Sequence, residues 1–221
     1  MLIFLLVVTA LQAYVIGSVN GAIIISKYFY KKDIREYGSG NAGLTNFYRV
    51  FGKYGVALVV LIDVLKTIAP VVMGGLLFSH YLDANYFVGG NVGLFSLSYF
   101  GSEFAGLFVM LGHCYPLFYG FRGGKGVMAV GTILFFVDWR VALAGWGAFI
   151  LLTLLTRYVS LGAIVACAAY PAAQALLGLG GQWELLVAIL SAMLLISRHS
   201  KNIKRLIQGT ESKISFKRKI A

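Results

Sequence analysis

Two short stretches of this chain carry glycines among small polar and basic residues, and both could hold an anion. In GSGNAGLTN, residues 38–46, Gly38, Gly40 and Gly43 space backbone N–H groups along the loop, while Ser39, Asn41, Thr45 and Asn46 add neutral donors. In GFRGGKG, residues 120–126, Gly123, Gly124 and Gly126 flank Lys125, a compact ammonium suited to a phosphate oxygen. Successive amides of a glycine-rich loop bind anions whatever the surrounding fold. The first loop also fits G-x-G-x-x-G, with Asp63 about 20 residues beyond Gly43, the outline of a dinucleotide fingerprint. The second is not a Walker A loop, because Gly126 stands where a Ser or Thr would hold magnesium. Taken alone, each loop is equally well read as a tight turn.

The surrounding composition decides which fold must position these loops. Of 221 residues, 59% are hydrophobic and 12% charged. A soluble domain of this length cannot hide that much apolar surface. A dinucleotide-binding unit would need short strands alternating with amphipathic helices. Here the apolar runs are about twice strand length, so the fingerprint is accidental. The expectation is an all-α integral membrane protein with about seven transmembrane helices, near 2–26, 54–78, 104–119, 127–139, 141–156, 158–178 and 183–197. It forms a single polytopic domain over 1–221 that ends in a basic tail, 198–221. The shorter spans must tilt or lie in thinned bilayer. The first span lacks a positive n-region and a good cleavage site, so it reads as a retained helix rather than a signal peptide. Cys114 and Cys167 match no metal-ligand spacing and read as inert thiols.

Charge sets the orientation. With the N-terminus outside and the C-terminus cytoplasmic, all but two of the 19 Lys and Arg fall on the inner side. The exceptions are Lys66, within a span, and Arg140, outside. Residues 84–101 are apolar and uncharged and could form a further span. Their glycines and asparagines favour an interfacial or re-entrant element on the outer face. The net charge of +11 is spread over several loops, which fits an anionic leaflet and membrane lipid better than nucleic acid.

In this topology four polar motifs meet at one surface: 38–53, 112–126, 156–160 and 198–214. The two glycine loops, with Arg49, Arg157 and His199, suggest a site for two anionic groups or one large one. Several residues keep a second reading. Asp63 and Lys66, three apart on one helix face, are as readily a bundle-holding ion pair as substrate ligands. Arg49 near a helix start would oppose the helix dipole, which favours a functional reason for it. Ser160 suits a helix N-cap, His113 a helix end, and His199 with Asn202 either the site or a polar surface. There is no G-x-S-x-G elbow, no carboxylate cluster for two metals and no H-x-x-x-x-D pair. Two classes remain: an enzyme acting on an amphipathic phosphate at the interface, or a membrane transporter of a phosphorylated solute. The transporter reading is weakened by the absence of a visible internal repeat and of midplane polar groups beyond Asp63 and Lys66.

Taken together, GSGNAGLTNFYRVFGK, DVLK, GHCYPLFYGFRGGKGV, RYVSLGAI and RHSKNIKRLIQGTESKI resemble, in order and spacing, the acyl-phosphate:glycerol-3-phosphate acyltransferase family, PlsY. The chain departs from the family's usual residues at Ala42, Leu44, Thr67 and Arg122, where proline, alanine, glycine and lysine are usual. The resemblance implies a multi-pass enzyme of the bacterial inner membrane with a cytoplasmic active site. Its substrates would be acyl phosphate and glycerol 3-phosphate, with neither cofactor nor metal. It further implies that Ser39 and its loop grip the acyl-phosphate head. Arg49, Lys125, Ser160, His199 and Asn202 would hold glycerol phosphate and the developing charge.

Overall fold

The structure, a computed structural model, describes residues 1–81, 89–92 and 95–214. Within these residues the chain forms ten α-helices and one small hairpin. The first apolar run divides into α1 (Leu2–Gly17) and α2 (Gly21–Phe29), followed by a short α3 (Leu44–Phe51) and a long α4 (Val56–Tyr81). Strands β1 (Gly89–Val92) and β2 (Phe95–Ser98) pair antiparallel, with Gly89 opposite Ser98 and Val92 opposite Phe95. Then come α5 (Tyr99–Cys114), α6 (Val127–Val137), α7 (Trp139–Thr156), α8 (Val159–Leu176), α9 (Gln182–Arg198) and α10 (Ser200–Ile207).

This is an all-α integral membrane protein. Helices satisfy their backbone groups internally, as a hydrocarbon surrounding requires. Large apolar side chains such as Phe4, Leu65, Leu154, Leu155 and Met193 point outward, where lipid can meet them. Each expected span is largely helical, although the first is broken into α1 and α2 and the third runs over 99–114 rather than 104–119. By length and apolarity alone, four segments among the described residues suffice to cross a bilayer: Leu2–Phe29, Val56–His80, Trp139–Thr156 and Val159–Leu176. Gln182–Arg198 and Ser200–Ile207, which meet at a 61° bend, pass the same test only when taken together. Of the run 84–101, the described part holds the hairpin and the start of α5, whose first turn is capped by Ser98 accepting from the Gly101 amide. Residues 84–88 and 93–94 lie outside the described residues.

Helix α5 is the hub, buried along most of its length against α1, α4, α6 and α9. Two close approaches explain its position. Gly112 of α5 lies against the backbone of α1 near Tyr14 and Gly17, and Gly101 faces Gly74 of α4. At each crossing a Cβ would strike the partner's backbone, so small residues let these helices approach closely without a hydrophobic driving force.

The break between α1 and α2 would leave backbone groups unpaired inside the bundle. Asn20 caps α2 by accepting from the Ile23 amide at 3.0 Å. Asp63 Oδ1 accepts from the Gly21 amide at 3.2 Å, and Lys66 Nζ donates to the Val19 carbonyl at 2.5 Å. Lys66 also pairs with Asp63 at 2.8 Å and donates to His113 Nδ1 at 2.8 Å. Of the two readings open for Asp63 and Lys66, their bonds serve the bundle: they close a helix break and tie it to α4 and α5.

Candidate active site

The first glycine loop is shaped by Asn46, buried in the first turn of α3. Its Oδ1 accepts from the Ser39 amide at 2.9 Å, and its Nδ2 donates to the carbonyls of Tyr37 (2.9 Å) and Asn41 (3.1 Å). Gly38 and Gly40 take φ of +61° and +70°, a backbone that favours glycine. The loop is joined to the second one through Arg35, which forks onto Asp33 and donates to the Tyr119 carbonyl at 2.6 Å. Hydrogen bonds from Arg35 hold the Asp33 carboxyl well below the usual carboxylate range. Ala42, which replaces the family's proline, is buried, and its carbonyl accepts from Asn20 at 3.1 Å.

In the second loop the Gly123 and Gly124 amides are spent on the turn itself, donating to the Cys114 and His113 carbonyls at 3.2 and 3.0 Å. Side chains here would strike His113 and Pro116 at Gly123, and His113 and the Ala42 carbonyl at Gly124. These two glycines let the loop fold onto the end of α5. Arg198 holds the same loop from α9, donating to the Gly124 carbonyl at 3.2 and 3.1 Å while stacking on Tyr115 at 4.8 Å. Lys125 then projects inward, its amine 2.5 Å from Asn202 Oδ1. Burial pushes the Lys125 pKa down, to about 8.

The third wall is the start of α8, and the fourth is the tail. His199 stands in the bend between α9 and α10. Its Nδ1 meets the Leu195 carbonyl at 2.9 Å, an acceptor, so Nδ1 carries the proton and Nε2 is left to other partners. Residues 208–214 then fold back, and the Ile214 amide donates to the Arg157 carbonyl at 2.9 Å. Glu211 arrives among the site residues. Its Oε1 accepts from Ser160 at 2.7 Å and Asn202 at 2.6 Å, and its Oε2 accepts from Arg205 at 2.7 Å. Burial raises the Glu211 pKa, but the hydrogen bonds from Asn202, Arg205 and Ser160 outweigh it and hold the carboxyl below its ordinary value.

One cavity of about 790 Å³ collects these walls. Of the residues singled out in the sequence, Gly38, Ser39, Asn41, Gly43, Thr45, Asn46, Arg49, Lys125, Gly126, Ser160, His199 and Asn202 line it, and Asp63 and His113 of the bundle network border it too. Gly40, Gly123 and Gly124 do not, and shape its loops instead; nor does Arg157, which ends α7 and offers its carbonyl to the Ile214 amide. The expectation for Arg49 from the helix dipole fails, because α3 is short and Arg49 sits in its last turn, where a cation is favoured. Away from the mouth the lining becomes apolar, with Leu134, Trp146, Phe149, Ala163 and Cys167 among its residues.

Four helices begin at this cavity: α3 after Gly43, α6 after Gly126, α8 after Tyr158 and α10 after His199. None has its first amides capped by a side chain. Each N-terminus carries about half a positive charge and amides without side-chain caps, an arrangement chemically suited to an anion. Glycine at two of these N-caps, in place of Ser, Thr or Asp, was the available signal for this feature. Glu211 and Arg205 also escape sequence reasoning, since their partners meet them only once the tail folds back.

The model of the glycerol-3-phosphate acyltransferase family matches residues 7–209. A glycerol-3-phosphate acyltransferase of Thermoanaerobacter pseudethanolicus is 38% identical over 214 residues, covering 97% of this chain and 98% of the relative. The chain belongs to the glycerol-3-phosphate acyltransferase family. Another family member, from Francisella tularensis subsp. mediasiatica, is 33% identical over 207 residues, 94% of this chain and 92% of that one. The crystal structure of PlsY, an integral membrane glycerol 3-phosphate acyltransferase, in its glycerol 3-phosphate form superposes with a TM-score of 0.81 at 32% identity. That match covers 95% of this chain and 96% of the other. Its lysophosphatidic acid form gives a TM-score of 0.78 over 95% of each chain. The family match, which ends at residue 209, takes in both glycine loops, the start of α8 and the bend at His199.

Proposed function

We propose that this acyltransferase moves a fatty acyl group from acyl phosphate to the 1-hydroxyl of glycerol 3-phosphate. The products are lysophosphatidic acid and inorganic phosphate, released at the cytoplasmic face of the bacterial plasma membrane. One observation carries the reading. A mouth built from four helix N-termini and the cations Arg49, Lys125 and Arg205 opens into an apolar depth within the same cavity. A phosphate head joined to an acyl chain fits both halves, and a second phosphate ester fits the remaining polar mouth. Related structures captured with glycerol 3-phosphate and with lysophosphatidic acid support the acceptor and the product.

The acceptor oxygen attacks the acyl carbonyl, a C–O ester bond forms, and the C–O bond to phosphate breaks. The hydroxyl proton passes to a base, either His199 Nε2 or a phosphate oxygen of the donor. Acyl phosphate is already a mixed anhydride, so no covalent enzyme intermediate is needed. Orientation and stabilisation of developing charge can supply the acceleration. Ser39 and the 38–46 loop receive the donor's phosphate in this reading. Arg49, Lys125, Ser160, His199 and Asn202 receive glycerol phosphate and the growing negative charge. Purified protein given both substrates should release phosphate only when glycerol 3-phosphate is present. Glycerol phosphate uptake into liposomes without acylation would instead favour transport.

A further inference from the structure

Glu211, on the folded-back tail, joins α10 to the start of α8, which lies 51 residues away in sequence. It accepts from Ser160 at the start of α8 and from Asn202 and Arg205 on α10. The strap that carries it is pinned on both sides. The Thr210 amide donates to the Arg205 carbonyl at 2.8 Å, the Ile214 amide donates to the Arg157 carbonyl, and Lys213 lies 5.4 Å over the Tyr158 ring. A carboxylate held by one hydroxyl, one amide and one guanidinium is a strongly bonded group.

The chemistry of these bonds has a directional consequence. An ionised carboxylate only accepts, so the end of the Asn202 amide that faces Glu211 must be its NH₂. The opposite end, its oxygen, is therefore the one that meets Lys125, which has only protons to offer. Without Glu211 the amide is free to flip and present NH₂ to an ammonium. We propose that Glu211 is a positioning residue, staying in place during turnover to fix the Asn202 amide and thereby the Lys125 amine that receives phosphate. This rests on the acyltransferase reading of the same cavity.

The charge of Glu211 acts in the same direction. Lys125 is faced by Arg49, Arg198 and Arg205, which disfavour its protonated form, by His199 beside it, and by Glu211, which favours it. Lys125 must be charged to bind phosphate and loses that charge as pH rises through about 8. Removing the carboxylate moves this loss to lower pH. A rival role makes the opposite forecast. If Glu211 merely stood in for substrate phosphate and had to leave, neutralising it would tighten binding.

Calorimetry of glycerol 3-phosphate binding, with no donor present, separates these roles across pH 6–10. A phosphate monoester's second ionisation lies near pH 6, so a loss of affinity above pH 8 reports the protein. Glu211→Gln keeps the shape and, with its oxygen toward Ser160 and Asn202, those two bonds, but removes the charge and the bond from Arg205, which an NH₂ cannot accept. It should weaken binding at pH 7 by roughly tenfold and move the high-pH loss down by about one pH unit. Glu211→Asp keeps the charge and shortens the reach. It should weaken binding while leaving the position of the high-pH loss unchanged, and it serves if the Gln variant fails to fold. Equal or tighter binding by Glu211→Gln, or an unmoved high-pH loss, would overturn the proposal, as would an acid-shifted loss in Glu211→Asp. Since no donor takes part, a wild type that binds glycerol 3-phosphate but fails to turn over acyl phosphate would sink only the donor assignment.

Discussion

Lys125 Nζ donates to Asn202 Oδ1 at 2.5 Å, across 77 residues of sequence. This bond joins the second glycine loop to the bend after α9. It ties together two walls of the cavity that lie far apart in sequence.

Lys125→Ala should therefore lower kcat/KM far more than Lys217→Ala, which removes a charge of the same sign from the end of the chain. A hydrogen bond to a charged group contributes roughly 1.5–3 kcal/mol. Realised in the transition state, that is about one to two decades of rate. Steady-state assays of the two purified variants test this, and equal small losses would mean Lys125 acts only as general surface charge.

The same lysine sets a pH limit. Burial lowers its pKa to about 8, so below that pH it is charged and above it the phosphate loses a cationic partner. Wild-type kcat/KM should fall as pH rises beyond about 8. Lys125→Arg, which stays charged, should remove that fall even if its absolute rate is lower. A fall at the same pH in both proteins would assign it to another group.

Much of this site was legible in the sequence, because charge distribution alone put the four polar motifs on one face. Hydropathy located the helices, since a hydrocarbon solvent leaves few alternatives. What escaped depended on contacts between distant segments. Asn46 reads as one more polar donor, yet its buried amide is used to tie the loop backbone together. Gly123 and Gly124 read as anion binders, but their amides close a turn. The break at Ser18–Asn20 carries no proline and is visible only beside Asp63 and Lys66, which repair it from another helix.

The apolar depth of the cavity sets an expectation for chain length. Gly145 of α7 lines it, and a side chain there would meet Leu134. Gly145→Val should reduce activity with long acyl donors more than with short ones. Chain-length competition assays would show this as a shifted preference. A uniform loss across all lengths would place the acyl chain elsewhere.

We further predict that the N-terminus faces outward, a reading motivated by the one-sided distribution of Lys and Arg. Single cysteines replacing Lys53 and Lys201 should resist impermeant thiol reagents in intact cells, while one replacing Arg140 should react. Both native cysteines are buried and give little background. Labelling of position 53 or 201 from outside would reverse the topology.

The central claim is that one cavity brings an acyl phosphate and glycerol 3-phosphate together for direct transfer. Its most direct test offers purified protein acyl phosphate, acyl-coenzyme A or acyl carrier protein at matched chain length. The assay contains a chelator and follows lysophosphatidic acid together with phosphate. Direct transfer should yield equimolar lysophosphatidic acid and phosphate from acyl phosphate alone, undiminished by the chelator. Robust turnover with acyl-coenzyme A, or a strict requirement for a divalent metal, would contradict it.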